Sequence, residues 1–182
     1  SMGSDSVSNH TRKNSYTLPS LFLKYQPKDW LILRYANTKT LTRPNYSDII
    51  PLYNISAGSR SVEYRNPYLE PGVSKNNDYV VSLNNKHLGL LSFSYFNKKI
   101  EGLIFSSGQR YITDASLYGL PRYAETYRIN DYKANNPYVV NLDGFEIDYQ
   151  TRFWYLPNLL RGLVFNANYT RTNSEVKYPR TV

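Results

Sequence analysis

Cysteine is absent from this chain of 182 residues, and methionine occurs once. The lack of cysteine excludes a disulfide framework and a thiolate metal site. No apolar run approaches the ~20 residues that a transmembrane helix needs. This does not exclude membrane-crossing strands, because their alternation hides the apolar face from a hydropathy scan. Met2 is followed by Gly-Ser-Asp-Ser and not by the pattern of a signal peptide, so a secreted precursor would need further residues.

The sequence also has no polybasic run, although its formal net charge is +8. Basic residues are scattered and lie among acidic ones, as at Arg128, Asp131 and Lys133. This spread favours solvated loops over a nucleic-acid surface, and we expect no nucleic-acid partner. The charge would also suit anionic lipid head groups.

Tyrosine is abundant, with 19 residues, and this favours strands and interfaces. Alternating patterns predict six strands, which cover residues 17–26, 30–41, 77–83, 88–105, 144–155 and 163–172. Short turns are predicted at 27–28, 84–87 and 156–159. Two long polar segments, 43–76 and 106–137, separate the three strand pairs.

The strand at 144–155 shows the clearest alternation. Phe145, Ile147 and Tyr149 fall on one face, with Leu31, Leu33, Leu163 and Phe165 as their counterparts on other strands. The opposite face carries Glu146, Asp148, Gln150 and Arg152, with Asn166 and Asn168 on the last strand. We expect the first set to face lipid and the second set to face a water-filled lumen.

The predicted fold class is therefore all-β: an antiparallel meander of about six strands that forms part of a transmembrane β-barrel with long extracellular loops. Strands of about ten residues match a tilted membrane crossing, and short turns opposite long loops are typical of outer-membrane barrels. A soluble β-sandwich shares the same alternation and stays open as the alternative.

Local motifs favour the membrane interpretation. They read TLTRPNYSDIIP at 40–51, NPYLEP at 66–71, NDY at 77–79, FNKKIEGLI at 96–104 and DGFE at 143–146. In this order and spacing they resemble the C-terminal half of the barrel of TonB-dependent outer-membrane receptors. The resemblance spans residues 17–172; residues 1–16 are then a polar leader or loop, and residues 173–182 begin a further loop.

The resemblance implies a larger barrel of 22 strands with a plug in its lumen. Such receptors import a scarce ligand (a siderophore, cobalamin or a glycan) across the bacterial outer membrane with energy from the inner membrane. The implied partners are outer-membrane lipid, the plug domain, the remaining strands of the same receptor, a small-molecule or glycan ligand, and TonB through a missing N-terminal region. The alternative function is a soluble β-rich ligand-binding or adhesion module.

Ligand contact is expected from the long loops, where aromatic and basic side chains are frequent. The candidates are Arg110, Tyr111, Tyr118, Arg122, Tyr123 and Tyr127, with Tyr132 nearby. Tyrosine offers a large contact area at low entropic cost, but packing within the loop explains these tyrosines equally well.

We find no pattern typical of a catalytic site. His10 lies in the polar leader and His87 in a turn. Glu146 and Asp148 share a strand face, as alternate residues of any strand do. We therefore expect no enzyme activity, no metal and no cofactor.

Overall fold

The computed structural model describes residues 13–179, so the first 12 residues of the predicted leader, including His10, lie outside the described part. Strands dominate it. They are β1 (Ser20–Lys28), β2 (Leu31–Thr42), β3 (Tyr53–Ser56), β4 (Ser61–Tyr64), β5 (Gly72–Asn85), β6 (Gly89–Glu101), β7 (Ile104–Ser106), β8 (Arg110–Tyr111), β9 (Arg128–Asn130), β10 (Lys133–Asn135), β11 (Val140–Arg152) and β12 (Val164–Glu175). One short helix, α1 (Tyr46–Ile49), and 3-10 helices at Ala115–Tyr118, Arg122–Ala124 and Asn158–Gly162 complete the described elements.

The main sheet has six antiparallel strands in the order β1-β2-β5-β6-β11-β12. Every strand pairs with the strand that precedes or follows it in the main sheet, so the predicted all-β meander of six strands is confirmed. Strands β1 and β12 lie at the two edges and do not pair with each other. The sheet is therefore open, with two unpaired edges.

The register places apolar residues side by side across the sheet. Ile147 lies opposite Phe93 on β6 and Tyr169 on β12, Phe93 lies opposite Val81, and Val81 lies opposite Leu33. Directly opposed residues point to the same side of a sheet. We call this side the apolar face. Many of its side chains are exposed, including Leu23 at 55% and Tyr169 at 57%.

The other side, which we call the polar face, carries Glu146 between Ser94 and Thr170, and Asp148 between Ser92 and Asn168. The division between the two faces follows the alternation of the sequence. A shift of one residue in any pairing would have exchanged the two sets.

The turn after β1 lies two residues later than predicted. Strand β1 continues through Pro27 to Lys28, and Asp29 and Trp30 make the turn. The pairing register shifts between Tyr25 and Lys28, around Pro27. Proline has no backbone N–H to donate, so an irregular place on a strand at the edge of this sheet accommodates it.

Three predicted strand limits at the opposite end were wrong by four or five residues. Strand β11 begins at Val140 and not at residue 144. Strand β5 begins at Gly72 and not at residue 77, because residues 72–76 continue the pairing with β2 although Ser74, Lys75 and Asn76 are polar. Strand β6 ends at Glu101 and not at residue 105. Gly102 has a φ of 67°, a left-handed conformation that interrupts the strand, and Ile104–Ser106 pairs instead with β10.

The connection between β11 and β12 is longer than the predicted four-residue turn. It includes the 3-10 helix at Asn158–Gly162. Leu163, expected within a strand, directly follows this helix, and its carbonyl oxygen accepts a 3.0 Å hydrogen bond from Phe153 N. Strand β12 ends at Glu175, three residues beyond the predicted limit.

Residues 43–71 and 102–139 are not irregular loops but form one folded unit, the loop layer. Strands β3, β4, β9 and β8 make a second sheet, in which the parallel pair of β4 and β9 joins the two segments. A small apolar core lies within it, made of Val62, Ile112, Ala115, Leu120, Ala124 and Ile129. Strands of two to four residues are too short to produce a recognisable period in the sequence.

Within residues 13–179, none of the helices has the length and apolar character required to cross a membrane.

Candidate functional site

The loop layer lies at one end of the main sheet. Thr42 pairs with Gly72, and Ile100 pairs with Val140, so both long connections leave and enter the sheet at the same end. The short connections, between β1 and β2, β5 and β6, and β11 and β12, lie at the opposite end. This asymmetry makes the loop layer the candidate ligand-binding region.

A polar cleft of about 560 Å³ opens between the two segments of the loop layer. Its charged lining consists of Asp48, Glu63, Arg65, Asp131 and Lys133, which are three carboxylates and two cations. Lys133 Nζ lies 2.9 Å from Asp48 Oδ1, and Arg65 Nη2 lies 3.7 Å from Glu63 Oε1. Because both cations are paired, the cleft does not present a surplus of positive charge to an anion.

Three tyrosine rings pack together beside the cleft. The centre of the Tyr64 ring lies 5.2 Å from that of Tyr118 and 6.2 Å from that of Tyr132. Burial, followed by the neighbouring Tyr132, Tyr68 and Tyr118 hydroxyls, raises the pKa of Tyr64 to about 12. Burial also raises the pKa of Tyr132. These phenols stay neutral at physiological pH and act as packing groups.

The predicted ligand residues divide into two groups. Tyr118, Tyr127 and Tyr132 pack against the core of the loop layer, which is the packing role that the sequence left open. Arg110 lies over the Tyr132 ring, with 5.2 Å from its guanidinium carbon to the ring centre.

The second group stays available to a ligand. Tyr111 and Tyr123 are 67% and 65% exposed, and Arg122 is also exposed. Strand β8 holds Arg110 and Tyr111, and the 3-10 helix at Arg122–Ala124 holds Arg122 and Tyr123. None of these four residues lines the polar cleft, and that they contact a ligand remains a prediction.

Two buried asparagines fix the loop layer. Asn66 begins the NPYLEP motif, whereas Asn136 belongs to none of the motifs found in the sequence. Asn66 donates a 2.9 Å hydrogen bond to Lys133 O, and Asn136 donates a 2.8 Å bond to Lys177 O. Each also accepts a 3.0 Å bond from the backbone N–H two residues ahead, at Tyr68 and Tyr138. The tripeptide Asn-Pro-Tyr occurs at both places, and this repeat was the available sequence signal.

The predicted lumen residues Glu146, Asp148, Gln150 and Arg152 share the polar face of β11, as expected from the alternation. Asn168 on β12 donates a hydrogen bond to Glu146 Oε1. That this face lines a lumen remains a prediction.

Among residues 13–179, no group of three or more histidine, cysteine or acidic side chains is placed to hold a metal ion. His87 packs near Trp154, with 5.4 Å between the ring centres.

Comparison with known protein families identifies one family model that matches almost the whole chain. The family model described as "TonB dependent receptor-like, beta-barrel" matches residues 2–181. No curated protein sequence matches significantly.

Similar solved structures include two receptors of Pseudomonas aeruginosa. A mutant of the ferric enterobactin receptor PfeA is 20% identical with a TM-score of 0.57, over 85% of this chain and 21% of that chain. The siderophore receptor PirA is 15% identical with a TM-score of 0.60, over 86% of this chain and 28% of that chain. This chain therefore spans about a quarter of their length, and at these identities the likeness shows the fold alone.

Proposed function

Since nearly all of its residues match that family model, this chain belongs to the TonB-dependent receptor-like β-barrel family, and we propose that it forms part of an outer-membrane receptor that imports a scarce ligand. The remaining strands, a plug domain and a segment that contacts TonB would belong to the rest of the receptor. Members of this family are transporters, so we propose no enzyme activity.

The observation that carries this proposal is the apolar face. It crosses all six strands without interruption, from Tyr25 on β1 through Leu33, Val81 and Phe93 to Ile147, and on to Tyr169 on β12. A soluble sandwich would cover such a face with a second sheet. Within residues 13–179 the second sheet lies in the loop layer at the strand ends, so lipid is the cover that we propose.

We propose that the ligand is a siderophore bound to ferric iron. Ferric catecholate complexes are anionic and aromatic. Arg110 and Arg122 supply positive charge, and the exposed rings of Tyr111 and Tyr123 supply stacking surface. The polar cleft suits an anion less well because its two cations are paired. Cobalamin and glycans are the competing ligands. Of the two similar receptors, one is named a ferric enterobactin receptor and the other a siderophore receptor.

The test uses the full-length receptor that contains this chain, expressed in cells with no other receptor for a ferric catecholate. Replacement of Arg110 and Arg122 together by alanine should weaken binding about tenfold or more, because a hydrogen bond to a charged group contributes ~1.5–3 kcal/mol. The matched control is Arg161→Ala, since Arg161 is an exposed arginine at the opposite end of the strands. It should leave binding and uptake unchanged.

Unchanged binding of the ferric catecholate to the Arg110→Ala, Arg122→Ala variant would contradict the proposed site. Uptake of cobalamin or a glycan, with no uptake of iron complexes, would contradict the proposed ligand class.

A further inference from the structure

Three lysines on neighbouring strands lie directly opposite one another. Lys39 on β2 pairs with Lys75 on β5, and Lys75 pairs with Lys99 on β6. Directly opposed residues project to the same side of a sheet, and like charges in this arrangement destabilise the pairing. The three residues, which we call the lysine row, therefore need a partner that offsets their repulsion.

The lysine row belongs to the apolar face and lies at its loop end. Two residues closer to the turns, Asn37, Asn77 and Asn97 are in register, and Asn37 donates a 2.7 Å hydrogen bond to Asn77. On β2, β5 and β6, the residues of the apolar face therefore change from apolar to polar at the same register position.

Another two residues closer to the turns, the same strands carry Tyr35, Tyr79 and Tyr95 in register. The ring centres of Tyr35 and Tyr79 are 5.0 Å apart, and those of Tyr79 and Tyr95 are 6.3 Å apart. Aromatic girdles of this kind mark the boundary between hydrocarbon and head groups. Four residues separate the tyrosines from the lysine row, which corresponds to about 13 Å along a strand. The lysine row therefore lies at the depth of the head groups.

The charge of the lysine row is only partly balanced by protein. Lys75 Nζ lies 2.8 Å from Glu101 Oε1. Within residues 13–179, neither Lys39 nor Lys99 forms an ion pair with a carboxylate, although Lys39 is near enough to attract the Glu101 carboxylate. Lys99 is exposed, and the side chain of Lys75 is 55% exposed despite its ion pair. The lysine row and Glu101 supply three ammonium groups and one carboxylate. The loop end of the same face also carries the carboxylates of Asp143 and Glu175 and the guanidinium of Arg171. These four cations and three carboxylates leave a small surplus of positive charge, which is concentrated at the lysine row.

We infer that the lysine row binds the phosphate head groups of lipids in the surrounding leaflet. This inference rests on the proposed function, because it requires the apolar face to lie in a membrane. The phosphates offset the repulsion between Lys39, Lys75 and Lys99, and the acyl chains continue downward over the tyrosines and the apolar residues below them. Contact between the lysine row and lipid phosphates would hold the receptor at a fixed depth in the membrane.

The test measures which lipids the purified full-length receptor retains in detergent, by native mass spectrometry. The probes are phosphatidylglycerol, which is anionic, and phosphatidylcholine with the same acyl chains. The variant is Lys39→Gln with Lys99→Gln, which leaves the pair of Lys75 and Glu101 intact. The matched control is Lys24→Gln with Lys98→Gln, since both of these lysines are on the polar face.

The receptor should retain phosphatidylglycerol in preference to phosphatidylcholine. The Lys39, Lys99 variant should lose this preference by about fivefold for each lysine removed, and the control variant should keep it. An undiminished preference in the variant, or an equal loss in the control, would overturn the inference. Retention of inorganic phosphate in the absence of lipid, at the level seen for phosphatidylglycerol, would overturn it in favour of a free-anion site.

Ligand uptake by the same proteins separates this inference from the proposed function. A wild-type receptor that imports its ligand but shows no preference for phosphatidylglycerol overturns the lipid site alone. A receptor with the predicted lipid preference that imports none of the candidate ligands supports the lipid site and contradicts the proposed function.

Discussion

Arginine substitutions on the apolar face should destabilise the receptor according to their depth in the membrane. Tyr35, Tyr79 and Tyr95 form the row that we call the tyrosine girdle. Phe145 is in register with Tyr95, and Ile147 lies two residues further along β11. Phe165 on β12 lies opposite Thr151, and Thr151 is six residues beyond Phe145 on β11. For strands tilted by ~40°, these offsets place Ile147 about 5 Å and Phe165 about 15 Å below the girdle, in an apolar band ~25 Å tall.

The expected costs follow from these depths. Phe165→Arg lies near the middle of the band and should lower the free energy of unfolding by about 2–4 kcal/mol. Ile147→Arg is closer to the girdle and should cost less, about 1–2 kcal/mol. Gln150→Arg, on the polar face of the same strand as Ile147, is the control and should cost little because its side chain does not meet lipid.

The assay is urea unfolding of the full-length receptor in lipid vesicles, with a gel-mobility test for the folded barrel. An equal cost for Gln150→Arg and Phe165→Arg would refute the assignment of the two faces. Wild-type stability for Phe165→Arg would refute it as well.

Four further outcomes are expected. Gly144→Ala should lower the stability of the full receptor by about 1–3 kcal/mol in urea unfolding, because a Cβ there would collide with the backbone oxygen of Arg171 and lie 2.6 Å from Phe96 Cζ; unchanged stability would contradict this close approach of β11 and β12. The folded loop layer should lose stability as the pH rises from the usual tyrosine pKa of 10.0 through about 12, because the raised pKa of Tyr64 favours the neutral phenol in the folded state; proteolysis that does not accelerate in this window would contradict this. Deletion of residues 111–132 removes most of the loop-layer core and should abolish ligand uptake while the barrel still assembles; undiminished uptake would place the site elsewhere. The isolated 182-residue chain should aggregate without detergent in light scattering, because it exposes two sheet edges and the apolar face; a monodisperse monomer with a cooperative thermal transition would favour the soluble module.

The sequence predicted the main sheet because its strands are long and one of their faces is apolar. Residues 144–155 repeat the alternation many times, so the period of two is clear and the register follows from it. Strand ends were less certain. Gly102 interrupts a pattern that otherwise continues to Phe105, and neither hydrophobicity nor length shows that its φ is positive.

The loop layer was not predictable in the same way. Its strands are two to four residues long, and the contact of β4 with β9 joins positions that are 67 residues apart along the chain. The candidate site was predicted in part. Composition identified Tyr118 and Tyr123 alike, but burial, which separates a packing ring from an exposed one, depends on the tertiary fold.

The most direct test of the account is a scan of β11 with spin labels in the full-length receptor, reconstituted in lipid vesicles. Each position from Phe145 to Thr151 is labelled in turn, and its collision rates with oxygen, which is lipid-soluble, and with a water-soluble nickel chelate are measured. We expect oxygen to reach Phe145, Ile147 and Tyr149, and the chelate to reach Glu146, Asp148 and Gln150. Accessibility without this alternation, or with the two sets exchanged, would contradict the claim that this chain forms membrane-spanning strands of an outer-membrane receptor.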